Sequence, residues 1–329
     1  MEKVTPVEPI SFAQAFDLIN PQLREVEERI RAQAQAFDPA VEAYVSYVCG
    51  AGGKRLRPAL ALLAGGVTGE ISPGHVDLAV IMEIIHVATL VHDDIMDGAE
   101  MRRDQPTANA RWGNAITVLL GDCLFAHALR LATGFSDSAV CRRISDAAAE
   151  VCSGEIIQTQ RRFDLKLSTA EYYRIIEMKT AALFSTACEL GAYLNGAGEQ
   201  EIAGLKDFGA KLGVAYQIYD DILDLAGTEE ETGKTLGTDL RKGKFTLPVL
   251  LLLQSGRDEA ALRDMLLGEE EVNITALLDM AGAIPAATEA AATLLFEADA
   301  LLDVLPDSQY AGGLRAITAH LGGLLERFR

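Results

Sequence analysis

The stretch LVHDDIMD at residues 90–97 ends a long apolar run with three aspartates, and YQIYDDILD at residues 216–224 repeats the same acidic spacing. Both stretches have the 3.6-residue periodicity of helices. Ionised carboxylates are costly to bury unless each has a partner. Hard divalent ions such as Mg²⁺ prefer oxygen ligands and commonly bridge carboxylates to the phosphates of a substrate. Two such clusters therefore predict a magnesium site.

Helix geometry distinguishes the aspartates within each cluster. Asp93 and Asp97 are four residues apart and lie on one helix face, together with His86. Asp94 is rotated by about 100° from Asp93 and is expected beside the metal or behind its ligands. The second cluster repeats this geometry. A solvated acidic helix end would explain one cluster alone. Both clusters, however, have apolar neighbours and lie near helix C-termini, where the macrodipole disfavours negative charge, so we favour metal binding.

Helical periodicity runs through almost the whole chain, whereas convincing period-two strand patterns are missing. The 329 residues contain no linker-like Ser/Pro/Gly tract and no charge block that would mark a domain boundary. We therefore predict a single all-α domain over residues 1–329. The predicted helices cover residues 11–35 with a break near Pro21, 38–49, 58–67, 74–97, 112–133, 137–161, 169–194, 199–226, 245–254, 258–266, 272–280, 284–303 and 309–328.

Charge and composition narrow the class of protein. The formal net charge of −19 argues against nucleic acid or an anionic membrane as a general partner, because both need a basic face. The five scattered cysteines are typical of a reduced cytoplasmic protein. The N-terminus has no signal pattern. The longest apolar run that we identify, Phe245 to Leu253, is too short for a transmembrane segment and contains Pro248. We expect a soluble cytoplasmic protein.

Cationic segments lie near both acidic clusters along the chain and could form an anion clamp for a diphosphate. The first is a glycine turn that leads into a cationic helix start, where arginine can bind phosphate through two hydrogen bonds. Each segment alone would more commonly be a solvated surface charge. They are GGKRLRP at residues 52–58, Arg102-Arg103, Lys179-Thr180, Gly233-Lys234 and Gly243-Lys244.

Taken together, these residues resemble the trans-polyprenyl diphosphate synthase family. The resemblance is strong from about residue 50 to 250 and rests on GGKRLRP (52–58), LVHDDIMD (90–97), MRRDQPT (101–107), GD (121–122), MKTA (178–181), YQIYDDILD (216–224) and GKTLGTDLRKGKFTLP (233–248). It implies a helical bundle around a deep central cavity, which is usually a homodimer. It also implies about three Mg²⁺ ions as cofactor. The implied substrates are isopentenyl diphosphate and an allylic diphosphate (dimethylallyl, geranyl or farnesyl), joined head to tail into a polyprenyl diphosphate.

The resemblance also implies residue roles. Mg²⁺ would be bound by Asp93, Asp97 and Asp220, with Asp94, Asp221 and Asp224 in support. Isopentenyl diphosphate would be held by Lys54, Arg57, His86 and Arg103. The allylic diphosphate would be held by Arg102, Lys179, Thr180, Gln217, Lys234 and Lys244. The roles that bear directly on the chemistry would fall to Asp93, Asp97, Lys179 and Asp220.

Two positions depart from the family pattern, and two others bear on product length. Tyr216 stands where Phe is common but keeps an aromatic ring, while Asp104 stands where Gly is common and adds a negative charge beside Arg103.

Short-chain members place a bulky aromatic residue just before the first cluster, where this chain has Ala88 and Thr89. We therefore predict a product of geranylgeranyl length or longer, although Ala88 could simply pack between helices.

Other functions remain open at this stage. A terpene cyclase shares the ionisation chemistry but usually has a different second metal motif and lacks the site that GGKRLRP and His86 suggest. A regulatory subunit of a heteromeric synthase would typically have lost metal ligands, whereas this chain retains both clusters. A plain helical scaffold would not need the matched ionic segments.

Overall fold

Helices make up nearly all the regular structure in the computed structural model, which describes residues 10–228, 236–254 and 282–329. This confirms the predicted all-α class. Within those residues the helices are α1 (Phe12–Asp17), α2 (Asn20–Gln33), α3 (Pro39–Cys49), α4 (Leu56–Thr68), α5 (Pro73–Asp97), α6 (Ala108–Trp112), α7 (Asn114–Ala132), α8 (Ser138–Gln160), α9 (Thr169–Ile176), α10 (Ala182–Tyr193), α11 (Glu199–Ala226), α12 (Thr238–Arg241), α13 (Leu247–Gln254), α14 (Ala283–Leu301) and α15 (Gln309–Leu325), with short 3₁₀ segments at Ala34–Ala36, Leu302–Val304 and Glu326–Phe328.

The predicted helix boundaries agree closely with the structure where local signals are strong. Helix α11 has the predicted limits, and α5 begins one residue earlier than predicted. The predicted helix at 169–194 is wrong in one respect, because a π-helix (Glu177–Ala181) separates α9 from α10. The predicted helix at 112–133 is interrupted at Gly113 between α6 and α7. The predicted helices at 258–266 and 272–280 lie outside the described residues.

Helix α5 is central to the packing because both its sides are covered. It packs against α2, α4 and α7, while α10 packs against α4 and α11, and α11 packs against α14. The helix begins after Ser72, whose side chain takes part in a capping box, and ends at Gly98, which adopts the left-handed conformation with φ 58°. These signals place the three aspartates of the first cluster in the last two turns of α5.

Two helices, α5 and α7, are long and apolar enough to span a membrane by length and composition. From the sequence we considered uninterrupted apolar runs such as Phe245–Leu253 and did not single out these two helices. The most apolar window of α5 is 72% buried inside the protein, which is typical of a core helix, whereas that of α7 is only 39% buried. The exposed apolar residues of α7 include Ile116, Val118 and Leu119.

A short hairpin follows the first cluster and carries the arginine pair. Strand β1 (Met101–Arg102) pairs antiparallel with β2 (Gln105–Pro106). The two turn residues, Arg103 (φ 51°) and Asp104 (φ 62°), both have left-handed backbones. Such a turn favours glycine, because left-handed backbone costs other residues about 1–2 kcal/mol. The Asp104 departure noted in the sequence therefore changes the backbone energy of this turn as well as its charge.

Candidate active site

The first acidic cluster contains three aspartates with three different environments. Asp97 forms ion pairs with Lys244 (Nζ to Oδ1, 2.9 Å) and with Arg162 (Nη2 to Oδ1, 3.2 Å). Asp94 is buried and accepts two hydrogen bonds from Arg102, at 2.8 Å from Nε and 2.7 Å from Nη2. Asp93 is partly buried and makes no hydrogen bond or ion pair with any described residue. Its environment raises the pKa of Asp93 to about 6 through desolvation, with Lys179 as the main opposing charge.

The second cluster shows the same division. Asp221 is buried and accepts hydrogen bonds from the Tyr172 hydroxyl at 2.5 Å and from Gln217 Nε2 at 2.8 Å. Asp224 is buried and accepts from the backbone N–H of Asp239 at 3.1 Å. Asp220 is partly exposed and, among the described parts of the chain, has no hydrogen-bond or ion-pair partner. Within residues 10–228, 236–254 and 282–329, each cluster therefore has one carboxylate without a protein partner.

The segment that contains α12 connects the two clusters. Lys244 Nζ, which contacts Asp97 of the first cluster, lies 3.9 Å from Asp239 Oδ1. The backbone N–H groups of Asp239 and Gly237 bind Asp224 of the second cluster, through its Oδ2 and its carbonyl oxygen respectively. The ends of α5 and α11 therefore border one region of the molecule. Because Lys179 is influenced by both Asp93 and Asp239, it also belongs to this region.

Two glycines let neighbouring helices approach the π-helix that contains Lys179 and Thr180. A Cβ atom at Gly154 of α8 would lie 2.8 Å from the backbone nitrogen of Lys179, and one at Gly213 of α11 would lie 2.6 Å from Ala181 Cα. Any larger residue would force these helices apart. A π-helix inside an α-helical run is often a functional feature, and here it brings two consecutive polar side chains between α8 and α11.

Those two side chains have defined partners. Lys179 Nζ forms an ion pair with Glu155 at 2.8 Å and donates a hydrogen bond to Gln158 Oε1 at 2.7 Å. The acidic neighbours raise the pKa of Lys179 despite its burial, so it remains protonated. The Thr180 hydroxyl donates to Gln217 Oε1 at 2.6 Å, and Gln217 in turn binds Asp221. The lysine thus presents a fixed positive charge near Asp93.

Burial of Asp221 makes the stability of the metal-free protein pH-dependent. Desolvation, together with the charge of Asp239, raises the pKa of Asp221 to about 8. Because the folded state holds the Asp221 proton more tightly than the unfolded state does, this group favours folding most below about pH 4. That contribution is lost as the pH rises to about 8. In the presence of a chelator we expect Asp221→Asn to unfold with a free energy about 2 kcal/mol higher than that of the wild type at about pH 8.5. Urea unfolding at several pH values measures this, and a difference that does not grow between about pH 4 and 8 would contradict it.

Arg57, His86 and Arg103 form a second group of basic residues, which we call the cationic hollow. His86 is surrounded by arginines, and burial followed by the charges of Arg57 and Arg103 lowers the pKa of His86 well below its usual value, so the ring is neutral. Arg57 lies over the Phe184 ring with Cζ 4.8 Å from its centroid, and its Nε is buried without a hydrogen-bond partner in the described structure. The Arg103 guanidinium lies against Gly53, where a Cβ would be 2.9 Å from Nη1. The hollow therefore suits an anion.

The structure brings together most of the residues predicted from sequence. Lys54 is exposed at the rim of the glycine turn, and Arg102 is occupied by Asp94. Lys234 lies outside the described residues. Sequence reasoning missed several contacts, and for most of them the chain offers no local signal because the partners are distant in sequence. The missed residues are Glu27, Arg55, Glu83, Glu155, Gln158, Arg162, Tyr172 and Asp239.

The donor atoms at the two clusters fit Mg²⁺ together with a phosphate ligand. Among the described residues, no group of three or more His, Cys, Asp or Glu side chains forms a ready-made metal site. Mg²⁺ does not require one, because it usually keeps water and binds one or two carboxylates plus substrate phosphates. Asp93 and Asp220 have no partner in the part of the chain that the structure describes, and they supply this minimal oxygen set. Asp97 would also bind the ion if it released its ion-pair partners, Lys244 and Arg162.

Comparisons with known proteins agree with the sequence resemblance. A family model described as polyprenyl synthetase matches residues 38–280. Heptaprenyl diphosphate synthase component 2 from Bacillus subtilis (strain 168) is 34% identical over 320 residues, which cover 96% of this chain and 92% of that protein.

Solved structures show the same similarity in three dimensions. A decaprenyl diphosphate synthase from Rhodobacter capsulatus has a TM-score of 0.89 and 34% identity, with 97% of this chain and 99% of that chain covered. A polyprenyl synthase from Caulobacter crescentus CB15, complexed with calcium and isoprenyl diphosphate, has a TM-score of 0.89 and 34% identity, with 98% and 100% covered. The similarity to each of these two structures therefore extends over at least 97% of this chain.

Proposed function

Since this chain belongs to the polyprenyl synthetase family and is a prenyltransferase, we propose that it condenses isopentenyl diphosphate with an allylic diphosphate in a magnesium-dependent, head-to-tail reaction. The observation that best supports the proposal is the pair of carboxylates Asp93 and Asp220, one at the end of each acidic helix, which have no partner among the residues described. Fixed cations, Lys179 and Lys244, lie near Asp93. This combination of oxygen ligands and cations suits a diphosphate leaving group, because it would stabilise the negative charge that the diphosphate carries away.

The residues near the acidic clusters would bind and orient the allylic substrate. Asp93, Asp97 and Asp220 would hold Mg²⁺, which stabilises the negative charge on the departing diphosphate. Lys179 and Lys244 add positive charge there, while Thr180 and Gln217 are hydrogen-bonded to each other and fix the wall of the site. The buried supporting residues Asp94, Asp221 and Asp224 hold Arg102, Tyr172, Gln217 and the α12 segment in place.

The cationic hollow would hold the second substrate, isopentenyl diphosphate, through Lys54, Arg57, Arg103 and neutral His86. The bond between C1 of the allylic chain and its diphosphate oxygen breaks, and the double bond of isopentenyl diphosphate attacks that carbon. The new carbon–carbon bond forms, and a proton is lost from the isopentenyl unit to the released diphosphate. No protein nucleophile is needed. The side chains must also exclude water, which would otherwise quench the allylic cation.

The decisive test is incubation of the purified chain with labelled isopentenyl diphosphate, Mg²⁺ and each of the three allylic primers, followed by chromatography of the products. A prenyl diphosphate that disappears when a chelator is added is the expected result. A cyclic hydrocarbon would identify a terpene cyclase instead. Activity that appears only after a second protein is added would identify a subunit of a heteromeric synthase, as the name of the Bacillus subtilis relative suggests for that protein.

The partner that we propose for this chain is a second copy of itself, and the supporting observation is the exposed apolar face of α7. Ile116, Val118 and Leu119 are exposed by 40%, 43% and 60%, respectively. Exposed apolar residues grouped on one helix commonly mark an interface. The mass of the active species, measured by light scattering during the same assay, distinguishes a homodimer from a heteromer. We propose a soluble, cytoplasmic enzyme, without nucleic acid as a partner, from the charge of −19.

We predict a product of at least geranylgeranyl length, and Thr89 is the position that tests it. Thr89 lies one turn before Asp93 and its side chain is partly accessible, whereas Ala88 is fully buried. Thr89→Phe should therefore shorten the product by one or more isoprene units as measured by chromatography. Ala88→Phe should instead lower the stability by about 1–3 kcal/mol through overpacking. Unchanged product length in Thr89→Phe would remove this residue as a determinant.

A further inference from the structure

Arg55 differs from the cations beside it in the glycine turn because its side chain faces the protein interior. It is 8% exposed, and it precedes α4 with a left-handed backbone (φ 48°, ψ 36°). Lys54 on one side is exposed, and Arg57 on the other lies over Phe184 in the cationic hollow. A non-glycine residue keeps a left-handed backbone only where its surroundings hold it. The contacts of its side chain must therefore hold Arg55 in this conformation.

Two glutamates from different helices bind the Arg55 guanidinium. Its Nη1 donates a hydrogen bond to Glu83 Oε1 of α5 at 2.5 Å, and its Nη2 donates to Glu27 Oε2 of α2 at 3.2 Å. Its Nε donates to the other oxygen of Glu27. Glu83 is 3% exposed, so this ion pair is almost fully shielded from water. All three guanidinium nitrogens of Arg55 are therefore bound to carboxylates of the protein itself.

Glu83 also acts on the arginines of the hollow. It is the leading negative charge acting on both Arg57 and Arg103. The Nε of Arg57 is buried without a partner in the described structure. Within this cluster, Arg55 is the arginine that Glu83 contacts directly, and Arg57 and Arg103 remain available to an anion.

We propose that the Glu27–Arg55–Glu83 triad positions the glycine turn, so that Lys54 and Arg57 meet the diphosphate of the non-allylic substrate while Arg55 itself does not touch it. Arg55 and Glu83 are thus positioning residues. This inference rests on the proposed function, because it concerns how that enzyme binds isopentenyl diphosphate. If the triad loosens, the turn that carries Lys54 and Arg57 loses its fixed geometry, and only one of the two substrates is affected.

The test measures KM for each substrate and kcat in the full-length protein. Glu83→Gln should raise KM for isopentenyl diphosphate about 10-fold, and Arg55→Met about 30-fold, with KM for the allylic substrate and kcat within about 3-fold of wild type. Arg55→Met should have the larger effect because the uncompensated Glu83 then competes with substrate for Arg57. The double variant Arg55→Met/Glu83→Gln should therefore be no worse than Arg55→Met alone.

Arg315→Met is a matched control, because Arg315 also binds two carboxylates, Asp299 at 2.6 Å and Asp303 at 2.7 Å, outside the site. Its KM values should not change. If Arg55→Met does not fold, Glu27→Gln decides, since it removes only the half-buried partner, and an unchanged KM there overturns the proposal. An unchanged or lower KM in Glu83→Gln would make Arg55 a direct ligand and overturn it too, as would equal rises for both substrates. Wild-type condensation, measured first, tests the proposed function separately.

Discussion

Asp93→Asn should lower kcat by about 10³-fold, since it replaces a charged carboxylate ligand of the proposed magnesium site with a neutral amide. The same change should stabilise the metal-free protein. Desolvation raises the pKa of Asp93 to about 6, so its contribution to stability is present below about pH 4 and is lost as the pH rises through about 6. At about pH 8, Asp93→Asn should therefore unfold with a free energy about 1–2 kcal/mol higher than wild type, after allowance for partial solvent access.

The opposite changes in activity and stability separate a functional carboxylate from a structural one. Asp77 is a suitable control, because it lies on the same helix α5 and pairs with Arg29 at 2.5 Å. Asp77→Asn should leave kcat unchanged and should not stabilise the protein at any pH. Steady-state kinetics and urea unfolding with a chelator measure the two quantities. If Asp93→Asn retained wild-type kcat, Asp93 would not be a metal ligand.

The helices of the site could be predicted because their signals are local. The aspartate spacing, the apolar neighbours and Gly98 as a C-terminal signal all lie within a few residues of the end of α5. The π-helix could not be predicted in this way, because residues 169–194 read as one continuous helix and the irregularity depends on close approach at Gly154 and Gly213. The π-helix therefore depends on tertiary packing, which the periodicity of the sequence does not show.

The partners of the predicted cations could not be predicted either, for a related reason. Glu155 lies 24 positions before Lys179 (179 minus 155), and Arg162 lies 65 positions after Asp97. No sequence pattern links such residues. Glu83 left one usable signal, a single acid within the apolar run AVIMEIIH at residues 79–86. A buried carboxylate requires a partner, and Arg55 of the nearby glycine turn provides it. Arg55 belongs to the motif GGKRLRP, but we gave it no role from the sequence.

Lys179→Met should reduce both stability and activity, and a second substitution should separate the two effects. Lys179 and Glu155 form an ion pair at 2.8 Å with side chains that are 19% and 10% exposed. Removal of the lysine leaves a buried carboxylate uncompensated, which should cost about 3 kcal/mol. The double variant Lys179→Met/Glu155→Gln removes that charge and should recover most of the lost stability.

Activity should behave differently from stability in this pair. Because Lys179 supplies positive charge next to Asp93, where the allylic diphosphate is proposed to leave, kcat should remain about 10²-fold or more below wild type in the double variant. Thermal unfolding and steady-state kinetics of the two variants give both readings. If the double variant regained wild-type kcat together with its stability, Lys179 would serve only to neutralise Glu155. A stable but inactive double variant would instead place the charge of Lys179 in the reaction itself, because the fold would have been restored and no uncompensated carboxylate would remain.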